Sequence, residues 1–165
     1  MTGRTHAAAG AFLGALSGAV FSSPEAGAVT GAVAALLPDI DHPGSTIGRK
    51  IPVIPVILEA TAGHRTVTHT LWFCFAVAAG FGFLANWLAG FGLPAGGFLL
   101  ALPALAGSLS HLALDALTRS GVEPLAPLNG WHPRGRVVTG SFTDSFLVFL
   151  VFLGLTGGVL YLWGR

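Results

Sequence analysis

The chain has 165 residues, of which 53% are hydrophobic and only 9% charged, with a formal net charge of +1. Soluble domains average roughly 25% charged residues, so this composition excludes a water-soluble globule and predicts one membrane-embedded domain over residues 1–165. A single cysteine, Cys74, excludes an internal disulfide and any cysteine-rich zinc motif.

The first apolar segment runs from about Arg4 to Phe21. Gly10, Gly14 and Gly18 recur every four residues, a stripe of small residues that lets helices approach closely. Ala7-Ala8-Ala9 precedes most of this segment and is misplaced for a signal-peptide cleavage site, so the segment reads as a retained helix. Ser22-Ser23-Pro24-Glu25 is a turn, with Ser23 as N-cap and Pro24 at the first helical position. The second segment, about Glu25 to Leu37, carries Gly27 and Gly31 and is short for a hydrocarbon core of roughly 30 Å. It predicts a tight hairpin with the first. Pro38 stops it.

A polar region follows from Pro38 to Thr68, interrupted by the proline-broken apolar run Ile51–Leu58. The third segment spans about Thr68 to Ala89, with Thr66 and Thr68 expected as its N-caps. Phe91-Gly92-Leu93-Pro94 turns the chain into the fourth, about Ala95 to Thr118, with Pro103 as an expected kink. A second polar region, Arg119 to Ser141, leads to the fifth, about Phe142 to Trp163. The predicted fold is all-α: a polytopic transmembrane bundle of about five helices with polar loops on the cytoplasmic side.

Five spans put the N-terminus and both polar regions on one side. That side carries Arg4, Arg49, Lys50, Arg65, Arg119, Arg134 and Arg136; the other carries Arg165 alone. The asymmetry predicts a cytoplasmic N-terminus and an external C-terminus.

His111 and Asp115 lie four residues apart in the apolar fourth segment, so they share a helix face. Ionisable groups in such a helix are costly, roughly 2.5–3.5 kcal/mol each at its centre, and call for a partner. A His–Asp hydrogen bond between helices would be one and a metal ion another. On the predicted topology all six histidines and all four aspartates fall on the cytoplasmic side. Unrelated core histidines would not sort in this way. Histidine and aspartate without cysteine suit zinc, manganese or iron acting as a Lewis acid. The candidate ligands are His6, Asp39, Asp41, His64, His69, His111 and Asp115. Asp39 is either a ligand or the group that orients an attacking water. One or two ions are expected, zinc first and manganese as the alternative. Paired ions suit phosphoryl chemistry, and cations must also hold the phosphate: Arg65 beside His64 is best placed, followed by Arg49, Lys50 and Arg119. His42, before Pro43, reads as a loop residue. Trp131 and His132 read as an interfacial anchor, and Asp144 as a helix-start residue.

The order Leu37-Pro38-Asp39-Ile40-Asp41-His42, His64-Arg65-Thr66-Val67-Thr68-His69-Thr70, Ser110-His111-Leu112-Ala113-Leu114-Asp115 and Thr139-Gly140-Ser141 resembles the bacterial and archaeal family of membrane-bound metal-dependent hydrolases. Its best-known bacterial members are inner-membrane proteins under LexA control. The resemblance covers roughly residues 4–145, and the family is in turn distantly similar to zinc phospholipase C and related zinc nucleases. It implies a helical enzyme with His6, Asp39 or Asp41, His64 or His69, His111 and Asp115 around metal. The chain lacks the later His-x-x-x-Glu of those soluble enzymes. The implied activity is hydrolysis of a phosphoester, phospholipase C-like or lipid phosphatase-like, on an amphiphilic substrate in the bilayer, with no nucleic acid expected. A metal transporter should carry polar groups at mid-membrane, which the far halves of these segments lack. A non-catalytic metal-binding bundle is the other alternative.

Overall fold

The computed structural model describes residues 1–45, 48–49, 67–92 and 96–165. Its elements are α1 (Gly3–Ala19), α2 (Pro24–Ala34), a 3-10 turn (Leu37–Asp41), α3 (Leu71–Ala89), α4 (Gly97–Ala116) and α5 (Phe149–Trp163), the last entered through a π-helical turn (Thr143–Val148). Among the described residues there is no β-strand. Three stretches are long and apolar enough to cross a membrane: Leu71–Ala89, Gly97–Ala116 and Thr143–Trp163.

The expected five spans are therefore three full-length helices and a shorter hairpin. α1 has 17 residues and α2 has 11, and they run out and back from the same end of the bundle. Their closeness is built from glycine. A Cβ on Gly14 would strike the carbonyl oxygen of Gly27, and one on Gly31 the carbonyl oxygen of Gly10. α4 joins the pair through Gly107, where a Cβ would collide with the backbone of Gly31. These contacts bring three backbones together, as small-residue stripes do in membranes. Pro103 sits inside α4, and the helix continues through it.

α5 covers α1 through Phe12 and Phe152, whose ring centroids are 6.0 Å apart. Most of its remaining surface is exposed and apolar, as at Leu150, Val151, Leu153 and Leu162, which suits a lipid-facing helix. α3 packs on α4 around buried Cys74, Leu112 and Val122, so Cys74 serves packing. The N-cap of α3 is Thr70, whose side chain accepts from Phe73 N at 3.3 Å. Thr68 does not cap the helix, because its hydroxyl is engaged by Asp41 at 2.8 Å; Thr66 lies outside the described residues. The polar region after α4 folds back beneath the bundle: Leu71 N donates to Pro124 O and Trp72 Nε1 to Ala126 O.

Candidate metal centre

The start of α1, the 3-10 turn, the entry to α3, the end of α4 and the start of α5 all lie at one end of the bundle. The glycine contacts set this geometry, because they let α1, α2 and α4 pack against one another. His6 comes from the first turn of α1, Asp39 and Asp41 from the 3-10 turn, His69 from the residues before α3, and His111 and Asp115 from α4.

Asp115 is the hub. Its Oδ1 lies 3.2 Å from His6 Nε2, and its Oδ2 lies 3.3 Å from His111 Nε2 and 3.6 Å from His69 Nε2. Asp39 Oδ1 closes the other side, 3.6 Å from His69 Nε2 and 3.7 Å from His111 Nε2. The Nε2 atoms of His69 and His111 are 3.3 Å apart. The rings of His6 and His111 stack with centroids 3.7 Å apart. The Met1 amine reaches Asp115 Oδ1 at 2.5 Å.

The outer hydrogen bonds fix how the imidazoles face. His111 Nδ1 is 2.7 Å from Ala35 O; a carbonyl only accepts, so Nδ1 carries a proton and Nε2 is the ring nitrogen that faces inward. Thr68 Oγ1 donates to Asp41 Oδ2 at 2.8 Å, so its 3.1 Å contact with His69 Nδ1 has the ring N–H as donor. His69 Nε2 then also faces inward. These two nitrogens, 3.3 Å apart and both beside carboxylates, need a proton or a cation among them. His6 adds a further sign. Both its ring nitrogens are buried without a hydrogen bond, the approach to Asp115 being close but poorly aligned. Leaving a buried polar group unpaired costs about 1–3 kcal/mol.

Among the described residues, two three-residue sets have ligand atoms mutually within 4.8 Å: His6, His111 and Asp115, and Asp39, His69 and His111. They share His111. Three nitrogen and oxygen ligands with an open fourth position is the donor set of a catalytic zinc, and these residues fit a divalent ion of that kind. Asp39 is the most accessible of them, its side chain 18% exposed against 6% for Asp115. Burial alone would raise its carboxyl, but contact with His69 and the neighbouring His111 and His6 outweighs burial and holds it at about 2. A carboxylate that acidic is suited to ligating or orienting, and poorly suited to taking a proton.

Beside Asp39 opens a cleft of about 460 Å³ lined by Arg4, Ser45, Arg49, Thr139 and Ser145 among others.

Of the residues singled out from sequence, His6, Asp39, His69, His111 and Asp115 converge. Asp41 sits behind His69, on the Nδ1 side at 4.0 Å and linked through Thr68. Its place is that of a group orienting an imidazole rather than joining either three-residue set. His64, Arg65 and Lys50 lie outside the described residues. Arg49 lines the cleft, as does exposed His42; Arg119 is exposed and does not line it. His132 is remote, its ring held by Ser120 O at 2.8 Å and Glu123 Oε1 at 3.1 Å, contacts that raise its pKa in that order. Buried Asp144 ties α5 to the chain start, accepting from Thr2 N at 2.9 Å and Gly140 N at 2.8 Å. Sequence reasoning missed the contact of Thr68 with Asp41 and His69 and the place of Arg4 in the cleft. The Thr68–His69 adjacency was the available sign for the first, and Arg4's place two residues before His6 for the second.

A family profile described as YdjM inner membrane protein matches residues 1–164. The uncharacterized protein YvsG of Bacillus subtilis (strain 168) is 35% identical over 159 residues, 94% of this chain and 90% of that protein. The inner membrane protein YdjM of Escherichia coli (strain K12) is 34% identical over 124 residues, 72% of this chain and 59% of that protein, and the Shigella flexneri protein of the same name matches equally. No solved structure matches the chain significantly.

Proposed function

This chain belongs to the YdjM inner membrane protein family, and we propose that its buried His/Asp cluster is the metal centre of a membrane-embedded hydrolase that cleaves a phosphoester at the cytoplasmic face. The observation that carries the reading is the inward-facing donor set: Nε2 of His69 and His111 turned toward Asp39 and Asp115 by hydrogen bonds on their far sides, with His6 unpaired beside them. The arginine asymmetry supports the cytoplasmic orientation.

His111, which has a single ring nitrogen turned inward, would hold one ion, completed either by His6 and Asp115 or by Asp39 and His69. Zinc, or alternatively manganese, supplies a Lewis acid there that lowers the pKa of water and offsets charge on a phosphoester. Asp39, open to the cleft, accepts a hydrogen bond from the attacking water and fixes its direction. Asp41, through Thr68, keeps His69 in the tautomer that presents Nε2. Arg65 and Arg49 hold the substrate phosphate. The cluster lies at the end of apolar helices, so an amphiphilic substrate can reach it while its tail stays in the bilayer. Kinship with zinc phospholipase C and related zinc nucleases, and LexA control, belong to this same reading.

The test is turnover by detergent-purified protein of a panel of soluble and lipid phosphoesters. Activity should fall with chelator and return with zinc or manganese. Asp115→Asn keeps the shape and loses the charge, so it should abolish turnover with the fold retained. Metal-loaded protein that cleaves nothing in the panel would replace the hydrolase with a non-catalytic metal protein.

A further inference from the structure

The cleft beside Asp39 is not explained by the metal ligands. Arg4 enters it from the first turn of α1 and Arg49 from the segment after the 3-10 turn. Among the described residues neither arginine takes part in an ion pair. Arg49 Nε donates to Ser45 O at 3.3 Å, which steadies the stem and leaves the outer guanidinium N–H groups available. Thr139 and Ser145 line the same space. Asp39 is the carboxylate that lines it, and its oxygen is already shared with His69 and His111. Two guanidinium groups without an ion pair among the described residues, in a cleft also lined by Thr139 and Ser145, make an anion site, because guanidinium forks match the oxygens of a phosphate. The volume, about 460 Å³, lies within the range of small-molecule sites, roughly 300–1,000 Å³. It has room for a phosphate and a small polar group.

We infer that this cleft is the phosphate subsite of the enzyme, with Arg4 and Arg49 as its anchors and a small phosphorylated headgroup as its occupant. The assignment rests on the hydrolase reading for its role, and Asp39 is what connects the two: it lines the cleft and faces both imidazoles. A phosphate held by Arg4 and Arg49 therefore stands next to the donor cluster rather than elsewhere on the cytoplasmic surface. Arg4, which the charge asymmetry alone would leave as a topological signal, becomes a residue that binds substrate.

The experiment is calorimetric titration of zinc-loaded, detergent-purified protein with inorganic phosphate. Arg4→Ala and Arg49→Ala should each weaken binding by about tenfold or more, the loss of a charge-assisted contact, with zinc content unchanged. Arg4→Lys should recover part of the loss. Arg136→Ala, an exposed arginine outside the cleft, should bind as wild type. A second arm adds phosphatidate to protein in phosphatidylcholine nanodiscs. Displacement of phosphate identifies a lipid headgroup as occupant, and persistence identifies a soluble phosphoester; both support the subsite. Phosphate that fails to bind wild type, binds both alanine variants undiminished, or is weakened as much by Arg136→Ala overturns it. Failure of the hydrolase reading looks different: phosphate binding with the same arginine dependence, but no turnover.

Discussion

Gly107→Ala tests how the bundle positions its polar end. Gly107 lies on the face of α4 that carries His111 one turn later and Asp115 two turns later. An added Cβ would meet the carbonyl oxygen of Gly31 and lie 2.8 Å from its carbonyl carbon and Cα. Ordinary contact begins at 3.4 Å and the carbonyl oxygen sits closer still, so α4 and α2 must separate by more than about 0.6 Å. Backbone atoms cannot rotate away as a side chain could. One turn beyond Gly31, Ala35 O accepts from His111 Nδ1 at 2.7 Å, and the same separation stretches that bond to the edge of hydrogen-bonding range. Overpacking costs about 1–3 kcal/mol and the weakened hydrogen bond about 1 kcal/mol more, for a loss of about 2–4 kcal/mol. Gly80→Ala is the control: nothing lies within 4 Å of its Cβ, so it should leave stability unchanged or raise it by up to about 1 kcal/mol through helix propensity. Denaturant unfolding in detergent, with metal content measured alongside, reads both. A Gly107→Ala protein as stable as Gly80→Ala and equally able to hold metal would refute the close packing and its link to His111.

Thr68→Val removes the hydroxyl between Asp41 and His69 with little change in shape; zinc affinity should fall by about 10–100-fold, measured by competition with a chromophoric chelator, and an unchanged affinity would deny the relay. Reporter fusions should place the N-terminus and the Asn129–Gly135 loop in the cytoplasm and the C-terminus outside. An external signal from that loop would separate it from the cytoplasmic face and break the arginine argument.

How much was legible in advance depended on the range of each contact. The apolar runs marked the helices within a few residues, and the four-residue spacing of His111 and Asp115 put them on one face, because both signals are local. The stripes Gly10–Gly14–Gly18 and Gly27–Gly31 announced the hairpin for the same reason. Gly107 did not announce itself: a lone glycine in α4 shows no stripe, and its partner Gly31 lies 76 positions away in sequence. Thr68 resembled a helix cap because caps are the local use of threonine; its engagement by Asp41 across 27 positions is tertiary. Arg4 counted toward charge asymmetry, and only folding brings it to the cleft with Arg49. About five helices with a tight first hairpin were expected, and among the described residues there are five, three of them full-length and two forming the hairpin. The apparent side of each terminus is unaffected, since a hairpin that returns to its starting end leaves the parity of the crossings unchanged.

The most direct test of the account is the metal itself. Protein purified in detergent, incubated with zinc and freed of excess, should contain about one to two equivalents by elemental analysis, with zinc absorption spectra showing a nitrogen and oxygen shell near 2.0–2.1 Å. His111→Ala should lose most of that zinc, because His111 belongs to both candidate ligand sets, whereas His42→Ala should keep it. Wild-type protein that holds no zinc, or equal zinc in the two variants, would contradict the assignment of this cluster as a metal centre.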